Sequence, residues 1–405
     1  MKVVFINRFF HPDHSATAQM LSDLAFGLAG RGTEVQVICS RQGYDHPQGT
    51  LPATEEVHGV RVHRVATSAF GRGSLLGRSL DYATFYVSAA ACLNKVLLPG
   101  DLAVAMTDPP MLSSVIAGVA RRRGAALVNW LQDVFPEVAQ RARIPGVRGP
   151  VAAALRRLRK RALADALWNV VIGECMARIL IDSGAAPRET VTVIPNWADG
   201  RAIAPLAHGD NPLRRAWAPD DSFVVSYSGN LGSVHDYETI LGAVRRLRHH
   251  GDVLFLMIGG GAGMRALQRR AREEDLANLR FEPYQPRERL IESLGAADVH
   301  LCTLRPEFEG LIQPSKFYGI GAAGRPTIFV GDTQGETATI LRQAECGIAI
   351  PAGDDAALAE AIVELRDQRE QRELMGSRAR AHFEKHFDLP VAMRAWRTIL
   401  SLPQD

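Results

Sequence analysis

The chain has 405 residues, enough for two hydrophobic cores, and its composition (46% hydrophobic, 22% charged) excludes an intrinsically disordered polypeptide. The net charge is only +3, but residues 1–199 carry 22 Lys and Arg against 16 Asp and Glu, while the remainder is net negative. This asymmetry points to a first half that meets an anionic partner.

In chain order, VVFI (3–6) predicts a buried strand; Arg8 follows too closely for a secretory apolar core. The next loop, NRFFHPDHSATAQ (7–19), leads into a helix over Thr17 to Arg31, with Leu21, Leu24, Ala25 and Leu28 on one face and Gly30 and Gly32 as stops. Small and hydroxyl residues ahead of a helix suit an anion at its positive end, and equally suit a plain cap from Ser15 or Thr17. No G-x-G-x-x-G follows this strand. Further strands are predicted at 35–39, 60–65, 102–106, 126–131, 168–172 and 190–194. Between them, FGRGSLLGRSLDY (70–82) and FYVSAAACLNKVLL (85–98) read either as an amphipathic membrane or lipid-acceptor element or as a core helix. Asp108-Pro109-Pro110 interrupts the most apolar stretch, 102–120, so no spanning helix is predicted. In NWLQDVFPEV (129–138), Asp133 ends a strand, where a carboxylate can orient or deprotonate a hydroxyl or simply form a turn. The helix within 155–168 packs five cations between Arg156 and Arg161 beside Leu155, Leu158 and Leu163, as either a face for anionic lipid or a solvated surface. Nucleic acid is not indicated, because aromatics are not interleaved with the basic residues.

After a Pro-rich connection at 201–221, a second strand-helix alternation begins. Strands are predicted at 223–229, 253–261, 279–284, 299–304, 327–331 and 347–351, with helices such as Asp236 to His249 and Met264 to Asp275. SYSGNLGSVHDYETIL (226–241) places Gly229 and Gly232 at a strand exit, either as a phosphate cradle or as a turn. IGGGAG (258–263) fails the dinucleotide pattern at Met264 and is taken mainly as a tight turn. In EGLIQPSKFYGIGAAGRP (309–326), Pro314 or Ser315 begins a helix and Gly324 ends it. Lys316 at that start opposes the helix dipole, which suggests an anion to neutralise, against the default of a solvated surface lysine. The five cysteines are scattered, as expected in a reducing compartment without structural zinc.

Taken in order, FHPDHSATAQMLSDLAFGLAGRGTEVQVI, TDPPML, NWLQDVFPE, VIPNWAD, YSGNLG, PSKFYGIGAAGRP and MGSRAR resemble retaining glycosyltransferase family 4 over nearly the whole chain. The resemblance is closest to bacterial exopolysaccharide and O-antigen enzymes such as fucosamine transferases. It implies an α/β GT-B fold, with two doubly wound Rossmann-like domains facing each other across a cleft. Residues 1–199 would bind the acceptor, 200–386 the nucleotide-sugar, and a C-terminal helix in 387–405 would pack back on the first domain. The diphosphate would lie near Gly229, Asn230, Gly232, Ser315 and Lys316, and the base near Tyr284 and Gln285. Glu309 and the amides of Gly310, Leu311 and Ile312 would hold the donor sugar. The acceptor, a polyprenyl-diphosphate-linked saccharide, would meet His14, Ser15, Thr17, Gln132 and Asp133, with Asp133 and Glu309 the catalytic carboxylates. Cofactors and metal are not expected, UDP is the expected nucleotide, and the enzyme would be cytoplasmic, peripheral on the inner membrane. The sequence departs from the family pattern twice. Asn230 and Asp236 stand where many members have an Arg and a Lys, and Gly319 replaces the second Glu of an E-x7-E pair. Two alternatives remain: a GT-B sugar-nucleotide 2-epimerase, or a non-catalytic nucleotide-sugar-binding protein.

Overall fold

A computed structural model describes residues 1–43, 51–71, 75–219 and 222–402. Parts of three predicted segments, 72–74 in the Gly/Arg/Leu-rich stretch, 220–221 in the connection and 403–405 in the tail, therefore lie outside the described residues. The chain divides into two compact units, Met1–Pro195 with Ala392–Asp405, and Asn196–Val391.

The first unit is built on strands β1 (Val3–Ile6), β2 (Val35–Ser40), β3 (Thr54–Val57), β4 (Val60–Val65), β5 (Leu102–Ala105), β6 (Ala126–Leu131), β7 (Trp168–Val171) and β8 (Val191–Val193). They pair in the order β3-β4-β2-β1-β5-β6-β7-β8. All neighbours are parallel except β3 and β4. Helices α1 (Ala16–Ala29), α2 (Leu75–Val96), α3 (Leu112–Arg123), α4 (Glu137–Arg141), α5 (Gly149–Ala164) and α6 (Glu174–Asp182) connect them. β1 is buried at every residue, as a central strand covered on both faces must be. Val4 and Ile6 share a core with Phe85 and Leu93 of α2 and with Ile116 and Val119 of α3. Strand β3 was not predicted, because TEEV has no apolar pattern to signal it. Its hairpin closes through His58 and Gly59, both at positive φ (49° and 77°), as a two-residue turn requires. Charged residues on such an edge also discourage pairing with other chains.

The second unit begins with α7 (Pro212–Trp217) and continues β9 (Phe223–Asn230), α8 (Glu238–Arg246), β10 (Val253–Gly260), α9 (Ala262–Glu273), β11 (Leu279–Glu282) and α10 (Leu290–Gly295). It ends with β12 (Val299–Thr303), α11 (Lys316–Ala322), β13 (Thr327–Gly331), α12 (Glu336–Ala344), β14 (Gly347–Pro351), α13 (Asp355–Asp367) and α14 (Arg369–His386). Its six strands are all parallel, in the order β11-β10-β9-β12-β13-β14. Val225, Tyr227, Phe255 and Met257 meet Ile240, Leu267 and Ile362 in one apolar core.

The last helix, α15 (Leu389–Ile399), passes from one unit to the other. From Ala392 onward it belongs to the first unit, where the Trp396 ring packs edge-on against Trp130 at 4.7 Å between centroids. Met393 fits over Gly27, where an added Cβ would come within 2.2 Å of its methyl carbon. Two buried tryptophans and a close helix approach bind the tail by apolar burial.

Candidate functional site

In open parallel sheets, ligands gather at the carboxyl ends of the strands. In the second unit that edge is the exits of β9, β10 and β12. Gly229 and Asn230 lie in register beside Gly259 and Gly260. The reason three glycines close β10 and begin the next turn, Gly259 to Gly261, is steric. A Cβ on Gly259 would sit 2.4 Å from the Gly229 carbonyl, and one on Gly261 would sit 2.3 Å from Asn230 Oδ1. Both also have positive φ, 120° and 113°. The segment taken from sequence as a tight turn is therefore a second wall of the Gly229–Gly232 loop. The exposed Tyr284 ring lies over this backbone, and a Cβ on either Gly259 or Gly260 would meet it at 3.1 Å. Gln285, beside it, donates to the Pro283 carbonyl at 3.0 Å.

Lys316 is the first residue of α11, and Ser315, the N-cap, makes no side-chain cap bond. The Lys316 side chain runs along Gly229, its Cε 3.6 Å from where a Cβ would be. Its ammonium sits 4.8 Å from the centre of the Tyr227 ring and 3.5 Å from His235 Nε2. Burial lowers the Lys316 pKa, and Cys302 opposes that shift. Among the described residues the ammonium has no carboxylate partner. A desolvated cation facing only neutral groups is costly unless an anion joins it. Lys316 thus stands beside Gly229, and the Asn230 side chain lies in the same loop against Gly232 and Gly261. His235 and Tyr227 complete the cluster, although sequence reasoning passed over both. The available signal was the His in SYSGNLGSVHDYETIL, a few residues past the glycines.

The segment at Glu309 is tied to the start of α12. Its carboxylate accepts the Glu336 amide at 2.8 Å and packs on Gly335, so it caps the start of α12. The amides of Leu311 and Ile312 turn back to the Phe308 carbonyl at 3.0 and 3.4 Å. Both close a turn that follows the 3-10 helix at Pro306–Phe308, with Gly310 at φ 71°. Gly319 faces Leu294, whose Cδ1 would stand 3.3 Å from an added Cβ. A side chain there would require the end of Leu294 to give by a few tenths of an ångström.

In the first unit, the exits of β1, β5 and β6 converge. The Arg8 amide bonds the Asp108 carbonyl at 2.7 Å. The Arg8 guanidinium lies 3.6 Å from Asp81 and over the rings of Phe9 and Tyr82, 5.2 Å from each. Gln132, just past β6, bonds Thr107 Oγ1 through its amide at 3.3 Å. Asp133 Oδ1 is buried without a hydrogen-bond partner. Burial pushes the Asp133 pKa up to about 7, aided by Asp108 and opposed by a hydrogen bond from Thr107. A carboxyl poised near neutrality at a strand terminus is suited to proton exchange. Ser15 is the N-cap of α1 by position, but its hydroxyl caps nothing and is buried without a partner. Asp13 takes the Ser15 amide instead, at 2.8 Å. Thr17 lies half-buried in the first turn, and His14 is exposed, its carbonyl accepting from Gln19 at 2.7 Å.

Residues 15–197 match the family described as glycosyl transferase 4-like domain, and residues 211–382 match glycosyl transferases group 1. The chain is 30% identical over 266 residues to a protein named as glycosyltransferase WbjE of Pseudomonas aeruginosa, covering 66% of each chain. It is 25% identical over 346 residues to WcaI of Escherichia coli (strain K12), named for colanic acid biosynthesis, covering 83% of this chain and 84% of that one. Among solved structures it is similar to HepE of Anabaena in complex with UDP-glucose, with a TM-score of 0.75, 16% identity and 99% of both chains covered. The chain thus belongs to the glycosyltransferases in which a 4-like domain leads into a group 1 domain on the GT-B fold.

Proposed function

We propose that this glycosyltransferase takes its sugar from a nucleoside diphosphate sugar, with UDP the nucleotide, seated on the second unit. The observation that carries the reading is the half-buried Lys316 side chain, whose ammonium has neutral partners only and which stands beside Gly229. The diphosphate would lie against that loop, Ser315 and Lys316, and the base over Tyr284 and Gln285. The complex of HepE with UDP-glucose supports this choice of nucleotide. Lys316 supplies the charge that steadies the leaving diphosphate, so the reading needs no metal or cofactor. Glu309 holds the donor-side loop in shape by capping α12, and its carboxylate and the Gly310 turn border the sugar. Transfer of a hexosyl or N-acetylhexosaminyl unit would proceed with retention, the donor phosphate helping to deprotonate the acceptor hydroxyl. Asp133 orients that hydroxyl, with His14, Ser15, Thr17 and Gln132 around it.

The acceptor in this reading is a polyprenyl-diphosphate-linked saccharide at the cytoplasmic face of the inner membrane, in bacterial surface polysaccharide synthesis. The name of WcaI supports that setting. No helix among the described residues is long and apolar enough to cross a membrane. The surface of the first unit supplies another route to lipid. Leu76, Leu80 and Val87 are exposed along one face of α2, and Val151 and Leu158 are exposed on α5. Helix α3 packs against both. Arg156, Arg157, Lys160 and Arg161 are exposed on the same helix as Leu158, whereas Arg159 is buried and paired with Glu137. Arg159 therefore leaves the basic face expected from sequence.

The deciding experiment is transfer of radiolabelled sugar from UDP-sugars to membrane-extracted polyprenyl diphosphate saccharide, preceded by a thermal-shift screen of nucleoside diphosphates. A true donor nucleotide stabilises the fold by mass action, by about 2.7 kcal/mol at a hundredfold excess over Kd. No shift with any nucleoside diphosphate sinks the donor reading. Stabilisation without transfer favours a binding protein, and interconversion of the free UDP-sugar favours an epimerase. For the membrane, co-sedimentation with vesicles containing phosphatidylglycerol is expected, weakening in high salt. Equal binding to neutral vesicles, or none to either, removes the lipid surface from the reading.

A further inference from the structure

We propose that His235 is a positioning residue, a neutral acceptor that holds the Lys316 ammonium where the donor diphosphate meets it. This rests on the donor site described above and adds to it the group that fixes its cation. The argument begins at the far side of the ring. His235 Nδ1 lies 2.6 Å from the carbonyl oxygen of Thr303, the last residue of β12. A carbonyl only accepts, so Nδ1 must carry the hydrogen. In a neutral imidazole, Nε2 then bears a lone pair, and it faces the Lys316 ammonium at 3.5 Å. Burial, reinforced by the Lys316 charge, pushes the His235 pKa down to about 3, so the ring stays neutral across the working range of pH. The Tyr227 ring closes the other side, 4.8 Å from the ammonium and 6.2 Å edge-on from the imidazole.

Each contact has a consequence for the lysine. A four-carbon stem with a single charge at its end has many rotamers, and ordering it costs entropy at the moment a ligand binds. An acceptor and a ring face set that geometry in advance without cancelling the charge, as a carboxylate would.

The test is UDP binding by calorimetry, with Tm measured to confirm that each variant folds. A glutamine ends where Nε2 lies and can accept from Lys316. An asparagine ends where Nδ1 lies and can keep only the Thr303 contact. His235→Ala and His235→Asn are expected to weaken UDP binding about tenfold, and His235→Gln to stay within about threefold of the parent. In a Lys316→Ala background the same His235 substitutions should add nothing. The proposal is overturned if His235→Ala binds UDP as the parent does, if asparagine rescues where glutamine does not, or if the losses at His235 and Lys316 are additive. A Lys316→Ala protein that binds UDP normally would overturn the donor-site reading itself, and this proposal with it.

Discussion

Replacing Lys316 by methionine is expected to cut kcat/KM for a UDP-sugar about 100-fold while making the folded protein more stable. The first effect follows from losing a charge-assisted contact with a diphosphate, worth roughly 1.5–3 kcal/mol. The second follows from the same burial that lowers the Lys316 pKa. Methionine keeps the apolar stem that runs along Gly229 but removes a charge whose neighbours are an imidazole and a phenol ring. Thermal unfolding without ligand should therefore shift upward by a few degrees, and the stabilisation given by UDP should largely disappear. A residue kept only for the fold cannot behave this way, because its removal would lower stability. Unchanged steady-state kinetics would exclude Lys316 from the phosphate site, whatever the change in melting temperature.

The second large effect is expected at Asp133, where activity and stability should respond to pH in opposite directions. Its pKa is raised to about 7 in the folded chain, from 3.8 in an exposed carboxyl. The unfolded state therefore releases the proton at lower pH than the folded state. The stability associated with the protonated carboxyl is complete below 3.8 and is lost as pH rises through 7. Asp133→Asn removes that loss. The variant should melt like the parent near pH 4 and a few degrees above it at pH 8. Turnover should move the other way. If ionised Asp133 orients or accepts from the incoming hydroxyl, parental kcat rises across pH 7, whereas the asparagine variant is flat and about 100-fold slower. Donor KM should change little, since no donor contact is assigned to the first unit. A parental pH profile without an inflection near 7, together with near-normal turnover in the variant, would take Asp133 out of the chemistry.

Much of the fold was legible from local pattern. Short apolar runs such as VVFI and VLFLMIGG fold as buried parallel strands because both faces of a doubly wound sheet are covered, so the whole run must be apolar. Strand β3 was not legible, since an edge strand is half-exposed and can be polar. The candidate site shows the same division. The glycines at 229 and 232 and the lysine at 316 stood out because their chemistry is unusual for their local context. The cysteine at 302, the tyrosine at 227 and the histidine at 235 did not, because nothing in their own neighbourhoods marks them.

By itself, then, the sequence determined the two successive strand-helix alternations, the strand exits where a ligand could gather, and the lysine at the start of a short helix. Tertiary structure alone decided what those residues do. It set Gly259 and Gly261 against the neighbouring loop at distances that exclude a side chain, turned Glu309 to a helix amide, and bonded the Leu311 and Ile312 amides to the Phe308 carbonyl. It also brought His235 and Lys316, 81 positions apart, to 3.5 Å. The physical reason is that burial and hydrogen-bond satisfaction are properties of neighbours in space. A lysine reads as a surface charge until parallel strands place an imidazole and an aromatic ring beside it and leave it without an anion.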